Sequence, residues 1–178
     1  KSRQIGQTRS AISMVDSALI KYVAKFGRYP IPSHPSIPMG TVGFGQSAAP
    51  PTGPWPVCTN PSSGVVCRTN VNTHGGADVL IGAIPFAEIG LPFSASLDGY
   101  GTRFTYAVTR SLTEASTYNE GAGAIEVRNN AGISRYFLDI LPVNGIDDLS
   151  VPRSHAIIIS HGEDKRGAFT LGGVIAAP

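Results

Sequence analysis

The stretch that decides the fold is residues 97–108, LDGYGTRFTYAV, where a glycine-rich turn leads into an alternating run. Gly99 and Gly101 permit the backbone angles of a tight corner, and Asp98 is suited to accept hydrogen bonds from nearby amides. Tyr100 is expected to fill the gap beneath a neighbouring helix. The residues predicted to face one side of the following strand are Phe104, Tyr106 and Val108. Because the stretch lacks a nucleophile, a base and a phosphate-binding loop, we interpret it as a structural corner.

The first part of the chain predicts a long amphipathic helix over residues 2–26. Gly27 ends the helix, and Pro30 and Pro32 prevent it from resuming. Its other faces are mainly basic, with Asp16 as the single acid. The apolar side chains recur at spacings of three and four: Ile5, Thr8, Ile12, Val15, Leu19, Tyr22 and Phe26. We expect this stripe, above all its members from Ile12 to Phe26, to pack on a sheet.

Length and charge restrict the class of protein. The chain has 178 residues, enough for one domain with a sizeable core. Its 21 glycines and 14 prolines indicate many turns, which disfavours a helical bundle. A net charge of +2 gives no support for nucleic-acid binding, and no run of eighteen apolar residues is present.

The two cysteines, Cys58 and Cys67, lie in CTNPSSGVVC, whose intervening residues favour a reversal of the chain. A disulfide in this loop would place the protein in an oxidising compartment. Two unpaired thiols are the alternative. A zinc site is disfavoured, because no second pair of ligands stands at a suitable spacing.

The remaining segments predict an α+β fold with an antiparallel sheet. Residues 29–78 form a long connection, and Ile84, Phe86, Ile89 and Leu91 are expected to anchor the next segment to the core. Residues 124–137 predict a hairpin, HAIIIS a short strand, and AFTLGGVIA a final strand. We therefore expect one domain over residues 1–178: a helical spine at 1–27, a loop region with the cysteines at 28–96, and the antiparallel sheet at 97–178.

Chemistry-bearing residues are sparse. His34 and His74 are expected to lie in loops, whereas His155 and His161 flank the strand AIIIS and could meet Glu163 and Asp164 near one strand end. This set is the only support for a hydrolase, the weakest of three functional interpretations. We expect no catalytic residues and no cofactor.

Three stretches resemble the type IV pilin-like family, which includes pilins and the pseudopilins of type II secretion. The helix exit KYVAKFGRYPIP is similar to the family's helix end. DGYGTRFTYAV, with Asp98, Gly99, Tyr100, Gly101 and Tyr106, resembles the family's corner motif. IIISHGEDKRGAF is similar to its segment after a central strand, with Ser160, Gly162 and Asp164 in place.

The resemblance implies a non-catalytic subunit, major or minor, of a helical filament. It also implies an upstream hydrophobic segment, processed by a prepilin peptidase, that anchors the subunit in the inner membrane with a periplasmic head. Other subunits and an inner-membrane assembly platform would be its partners, and in an assembled pilus it would be extracellular. The loop at 28–78 and the hairpin at 124–137 are candidate contact regions.

Calcium sites of the pseudopilins suggest Glu163 and Asp164 as weak candidate ligands. Lys165 and Arg166 follow them directly, which disfavours a divalent cation. A periplasmic or cell-surface binding or adhesion module that does not polymerise is the main alternative function.

Overall fold

The computed structural model describes residues 1–58, 64–69, 78–125 and 153–176. Within them, one helix precedes a four-stranded antiparallel sheet, which confirms the predicted α+β layout. The elements are α1 (Ser2–Phe26), β1 (Cys67–Arg68), β2 (Val79–Ala83), β3 (Thr105–Thr109) and β4 (Ala156–Ile159). Two short 3₁₀ turns, Phe93–Ser96 and Arg110–Thr113, lie on either side of β3 in sequence.

Helix α1 ends where the sequence predicts. Gly27 takes the left-handed conformation, with φ 63°, and its amide donates to the carbonyl of Val23. The buried helix residues are Ala11, Val15, Ala18, Leu19 and Tyr22, with Ile12 half-buried beside them. The expectation that Phe26 belongs to the core is wrong, because the side chain is 45% exposed and its ring contacts Tyr22 from outside. Ile5 is also exposed, since the packed part of the stripe begins at Ala11.

The sheet has the order β1-β2-β3-β4, and every neighbouring pair is antiparallel. The prediction that it occupies residues 97–178 is wrong, because β1 and β2 lie earlier in the chain. Strand β1 is two residues long, too short to show an alternating pattern. Strand β2 reads VLIGA, apolar throughout, and carries no period-two signal either.

The main core lies between α1 and one face of the sheet. Tyr106 and Val108 of β3 meet Leu80 of β2 there, together with the buried stripe of α1. The anchoring residues Ile84 and Phe86 are buried in this core, and Ile89 and Leu91 pack against it. Trp55, from the long connection, joins the same cluster.

Strand β3 is buried on both faces, not half-buried as its alternation predicts. Ala107 packs on the far side of the sheet with Val79, Ala124 and Ile125. The hydroxyl of Thr109 accepts the amide of Ala124. Residues 124–125 therefore cover part of the sheet face that the alternating pattern predicts to be exposed to solvent.

The predicted last strand is absent from the sheet. Phe169 and Ile175 form an isolated bridge across a tight turn, in which Gly173 has φ 75°. The paired glycines 172 and 173 interrupt the apolar run, so the chain reverses before a strand can form. Of the predicted hairpin at 124–137, Ile125 bridges to Ser154, and residues 126–137 lie outside the described part of the chain.

The predicted disulfide is confirmed between Cys58 and Cys67, whose Cα atoms are 5.1 Å apart. It ties residues 56–58 to the outer edge of β1. The amide of Cys58 donates to the carbonyl of Arg68, and the amide of Arg68 donates to that of Pro56. One edge of the sheet is therefore covered by the chain itself.

Candidate functional site

The glycine corner lies directly on the N-terminal half of α1. The amide of Gly99 donates to the hydroxyl of Thr8 at 2.9 Å. A Cβ atom at Gly99 would collide with the main chain of Gln4, so this position requires glycine for close approach. Gly101 has φ 78° and provides the left-handed residue of the turn.

The Asp98 carboxylate organises the corner from inside, with 5% of the residue exposed. The amides of Tyr100 and Thr102 each donate to Oδ1 at 3.0 Å. The hydroxyls of Thr102 and Ser160 donate to Oδ2 at 3.0 and 2.8 Å. Hydrogen bonds of this kind satisfy a buried carboxylate, and no described cation forms an ion pair with it.

The Asp98–Ser160 hydrogen bond joins two stretches that carry the pilin resemblance. Ser160 also accepts the amide of Gly162, so the turn after β4 is fixed to the corner. Tyr100, expected to fill the gap under the helix, is half-buried and lies outside the buried core. The main chain of Gly99 closes that gap instead. Tyr106 is fully buried and donates its hydroxyl to the carbonyl of Pro30 at 3.2 Å.

The candidate calcium ligands are engaged in other contacts. Glu163 pairs with Lys1 at 2.7 Å, and this pair lowers the pKa of Glu163 and raises that of Lys1. Asp164 accepts the amide of Arg166 at 3.4 Å. Within the described ranges, no group of three or more His, Cys, Asp or Glu side chains could hold a metal ion.

The two histidines beside β4 do not share a site. His155 contacts the Tyr29 hydroxyl and the Glu120 carbonyl, whereas His161 contacts the Thr105 hydroxyl and the Arg166 carbonyl. They lie at opposite ends of a strand, about 20 Å apart at ~3.3 Å per residue. The expectation that both meet the acids at one strand end is therefore wrong.

Arg103 is a charged residue that the alternating pattern predicts to be exposed, whereas the structure leaves only 5% of it exposed. Its guanidinium donates to the carbonyls of Pro35, Ile37 and Leu171 at 2.7 to 3.0 Å and lies over the ring of Phe44. Burial lowers its pKa. The side chain joins the connection after α1 to the C-terminal turn, which is a structural role.

A groove of about 470 Å³ runs along the far face of the sheet, and no pattern in the sequence predicts it. Its floor includes Ile81, Ala83 and Ile159, the disulfide forms one wall, and His161 and Arg166 stand at the rim. A mainly apolar cleft with a few polar groups suits a small apolar ligand.

The outward face of α1 carries a second stripe that sequence reasoning missed. Its members are exposed, small or apolar, and recur at spacings of four and three: Gly6, Ser10, Ser13, Ser17, Ile20 and Ala24. We call this set the small-residue seam. The spacing of these residues is visible in the sequence, but the basic side chains on either side make the whole outward face look solvated. A solvated helix face normally carries charges, and this seam carries none.

Helix α1 contains five charged side chains among its 25 residues. No helix within the described ranges is both long and apolar enough to cross a bilayer. No protein-family model matches the chain, and no curated protein or solved structure matches it either.

Proposed function

We propose that the protein is a non-catalytic structural subunit of a helical filament of the type IV pilus or type II secretion kind. In this proposal α1 forms the spine of the filament, and the sheet with its loops forms the outer head. The observation that carries it is the small-residue seam, which stands on the helix opposite its core-packing stripe.

The seam supports the proposal because its spacing is that of a helix–helix interface. Alternating intervals of four and three keep side chains on one line as two helices wind together. Small residues allow the helix backbones to approach closely. Ile20, 62% exposed, would contribute most of the apolar area on association.

The corner supports the same proposal from inside the subunit. Gly99 bonds Thr8 of α1, and Asp98 holds the turn that carries Gly99, so the corner is fixed to the first half of the helix without covering the seam. The helix is therefore held rigidly while its outward face stays accessible, as an assembly surface requires.

The family resemblance supplies the rest of the proposal. The subunit would pass through an inner-membrane stage with a periplasmic head, be processed by a prepilin peptidase, and reach the filament through an assembly platform. A disulfide fits this route, because disulfides persist in oxidising compartments.

The test is a bulky charge placed in the seam of the full-length protein in its native host. Ser13→Arg should abolish filaments in sheared surface fractions and in electron micrographs, because the guanidinium prevents close helix approach. Gln7→Arg is the matched control, since Gln7 is exposed on the flank of the same helix. Both variants should keep the wild-type thermal midpoint. Filaments of normal yield with Ser13→Arg would refute the proposal.

The alternative, a cell-surface binding module, is favoured by the far-face groove. A fluorescent fatty acid is a suitable probe, because an apolar chain matches Ile81 and Ile159 and a carboxylate matches Arg166. Micromolar binding that Ile81→Gln removes, in a protein that never forms filaments, would favour this alternative.

A further inference from the structure

The two edges of the sheet differ in how they are protected. The outer edge of β1 is covered by residues 56–58. Along the outer edge of β4, Ile125 pairs with Ser154 just before the strand begins, and no described residue bonds the outward groups of the strand itself, whose sequence is AIII. An open apolar edge strand is a template for another strand, and proteins ordinarily block it.

The register shows which backbone groups of β4 point outward. Val108 pairs with Ala156 and Tyr106 with Ile158, while the amide of Thr109 donates to the carbonyl of His155. Residues 155, 157 and 159 therefore bond to β3, because N–H and C=O groups alternate sides along a strand. Ala156 and Ile158 direct theirs away from the sheet, where no described residue bonds them.

A groove of about 470 Å³ lies between this edge and α1. The helix contributes Ile12, Leu19 and Ile20 to its walls, and the strand contributes Ala156 and Ile158. An extended chain seated here would gain main-chain hydrogen bonds on one side and apolar contact on the other. Peptide recognition by strand addition combines main-chain hydrogen bonds with apolar side-chain contacts in this way.

Two charged side chains on the helix wall define what the groove would accept. Arg9 and Asp16 both line it, both are exposed, and neither forms an ion pair with a described residue. They are seven residues apart, about 10 Å along the helix axis. Side chains on one face of an extended chain are about 6.7 Å apart at alternate residues and about 13 Å apart at every fourth residue.

We propose that the β4 edge binds an extended segment of a partner protein by strand addition. The segment would place an acidic side chain opposite Arg9 and a basic side chain opposite Asp16, with apolar residues between them. A second copy of β4 does not meet this requirement, because Ala156–Ile159 contains no charge. The proposal does not rest on filament assembly, but Ser13 and Ile20 belong to both the groove and the seam, so a segment bound at β4 would compete there with a second helix.

The test uses two probe peptides, Ac-Thr-Glu-Ile-Val-Ile-Lys-Thr-NH₂ and the same peptide with Glu and Lys exchanged. Each is titrated into the isotope-labelled protein and followed by NMR. One peptide should bind with a Kd of about 50 µM and slow the amide exchange of Ala156 and Ile158. The other should bind about tenfold more weakly, because its charges oppose Arg9 and Asp16 in the favoured strand direction.

Exchanging the protein's own charges provides the decisive control. Arg9→Asp combined with Asp16→Arg should reverse the preference between the two peptides. A peptide N-methylated at the amides that would bond β4 should not bind. Ile158→Pro should abolish binding while the fold is kept, because the lost N–H lies outside the β3–β4 ladder.

Three results would overturn the proposal. The first is no change at Ala156 and Ile158 with either peptide at about millimolar concentration, far above the expected Kd. The second is binding whose preference does not respond to the charge exchange, which would indicate nonspecific apolar contact. The third is protection of both amides without peptide in a protein that sediments as a dimer, which would make a second copy the occupant.

Discussion

Removing the Asp98 carboxylate tests whether the corner holds the helix to the sheet. Asp98→Ala deletes the acceptor of four hydrogen bonds. The Tyr100 amide and the Ser160 hydroxyl belong to half-buried residues and can bond to water instead, whereas Thr102 is 1% exposed. The amide and hydroxyl of Thr102 are therefore the donors left without a partner.

The expected cost follows from those two buried donors. An orphaned buried donor costs about 1–3 kcal/mol, and lost charge-assisted bonds add to it. We expect Asp98→Ala to lower the free energy of unfolding by about 3–4 kcal/mol. Asp98→Asn should cost about 1 kcal/mol, because its carbonyl keeps both amide bonds and the hydroxyls can rotate to face the new amide. Ser160→Ala should likewise cost about 1 kcal/mol.

Urea unfolding followed by the fluorescence of Trp55 measures these differences. Trp55 is the only tryptophan and is buried in the main core, so its signal reports on the α1–sheet interface. With a slope of about 2 kcal/mol per M urea, the midpoint of Asp98→Ala should fall by about 1.5–2 M. A loss equal to that of Asp98→Asn would show that the carboxylate does not hold the corner together.

Three further changes probe the corner, the disulfide and a titrating side chain. Gly99→Ala should lower the free energy of unfolding by about 2–4 kcal/mol in the same assay, because its methyl group would collide with the main chain of α1. The control Gly6→Ala has open space around it and should stabilise the helix by about 0.5–1 kcal/mol. Replacing Cys58 and Cys67 together by serine should lower the free energy of unfolding by about 2.5 kcal/mol, because the unfolded chain loses a constraint. Thermal unfolding of the wild type with and without reductant should give the same difference in stability. Burial lowers the pKa of His34 below 6.5, so the unfolded chain binds a proton more readily than the folded chain does. The free energy of unfolding should therefore be complete above pH 6.5 and decline as the pH falls further. The decline should be smaller in His34→Gln than in the wild type when urea midpoints at about pH 7.5 and pH 5 are compared. Equal declines in the two proteins would show that His34 does not cause the pH dependence.

Local patterns were sufficient for parts of the fold that depend on near neighbours. The apolar spacing of α1 and the left-handed requirement at Gly27 fixed the helix and its end. Turn-forming residues between Cys58 and Cys67 anticipated the disulfide. In each case the deciding interaction joins residues close in the chain, so a short window contains the information.

The same patterns failed where distant segments meet. Phe26 has the correct helical phase, but the helix passes the end of the core before that residue is reached. Arg103 and Thr109 have the phase of exposed strand residues, yet residues 35–37 and 124–125 cover them. Strand β1 is defined by its pairing with β2, and two residues carry no periodicity of their own.

By itself, the sequence determined the helix, its termination, the glycine turn and the apolar strand β4, because each is encoded in the order of neighbouring residues. The tertiary structure alone decided that Asp98 meets Ser160 and that Gly99 touches the helix backbone. It also left the seam, and the β4 edge beyond Ser154, uncovered by the described parts of the chain. The physical reason is that burial and unpaired backbone groups depend on contacts between remote segments, and these exist only once the chain has folded.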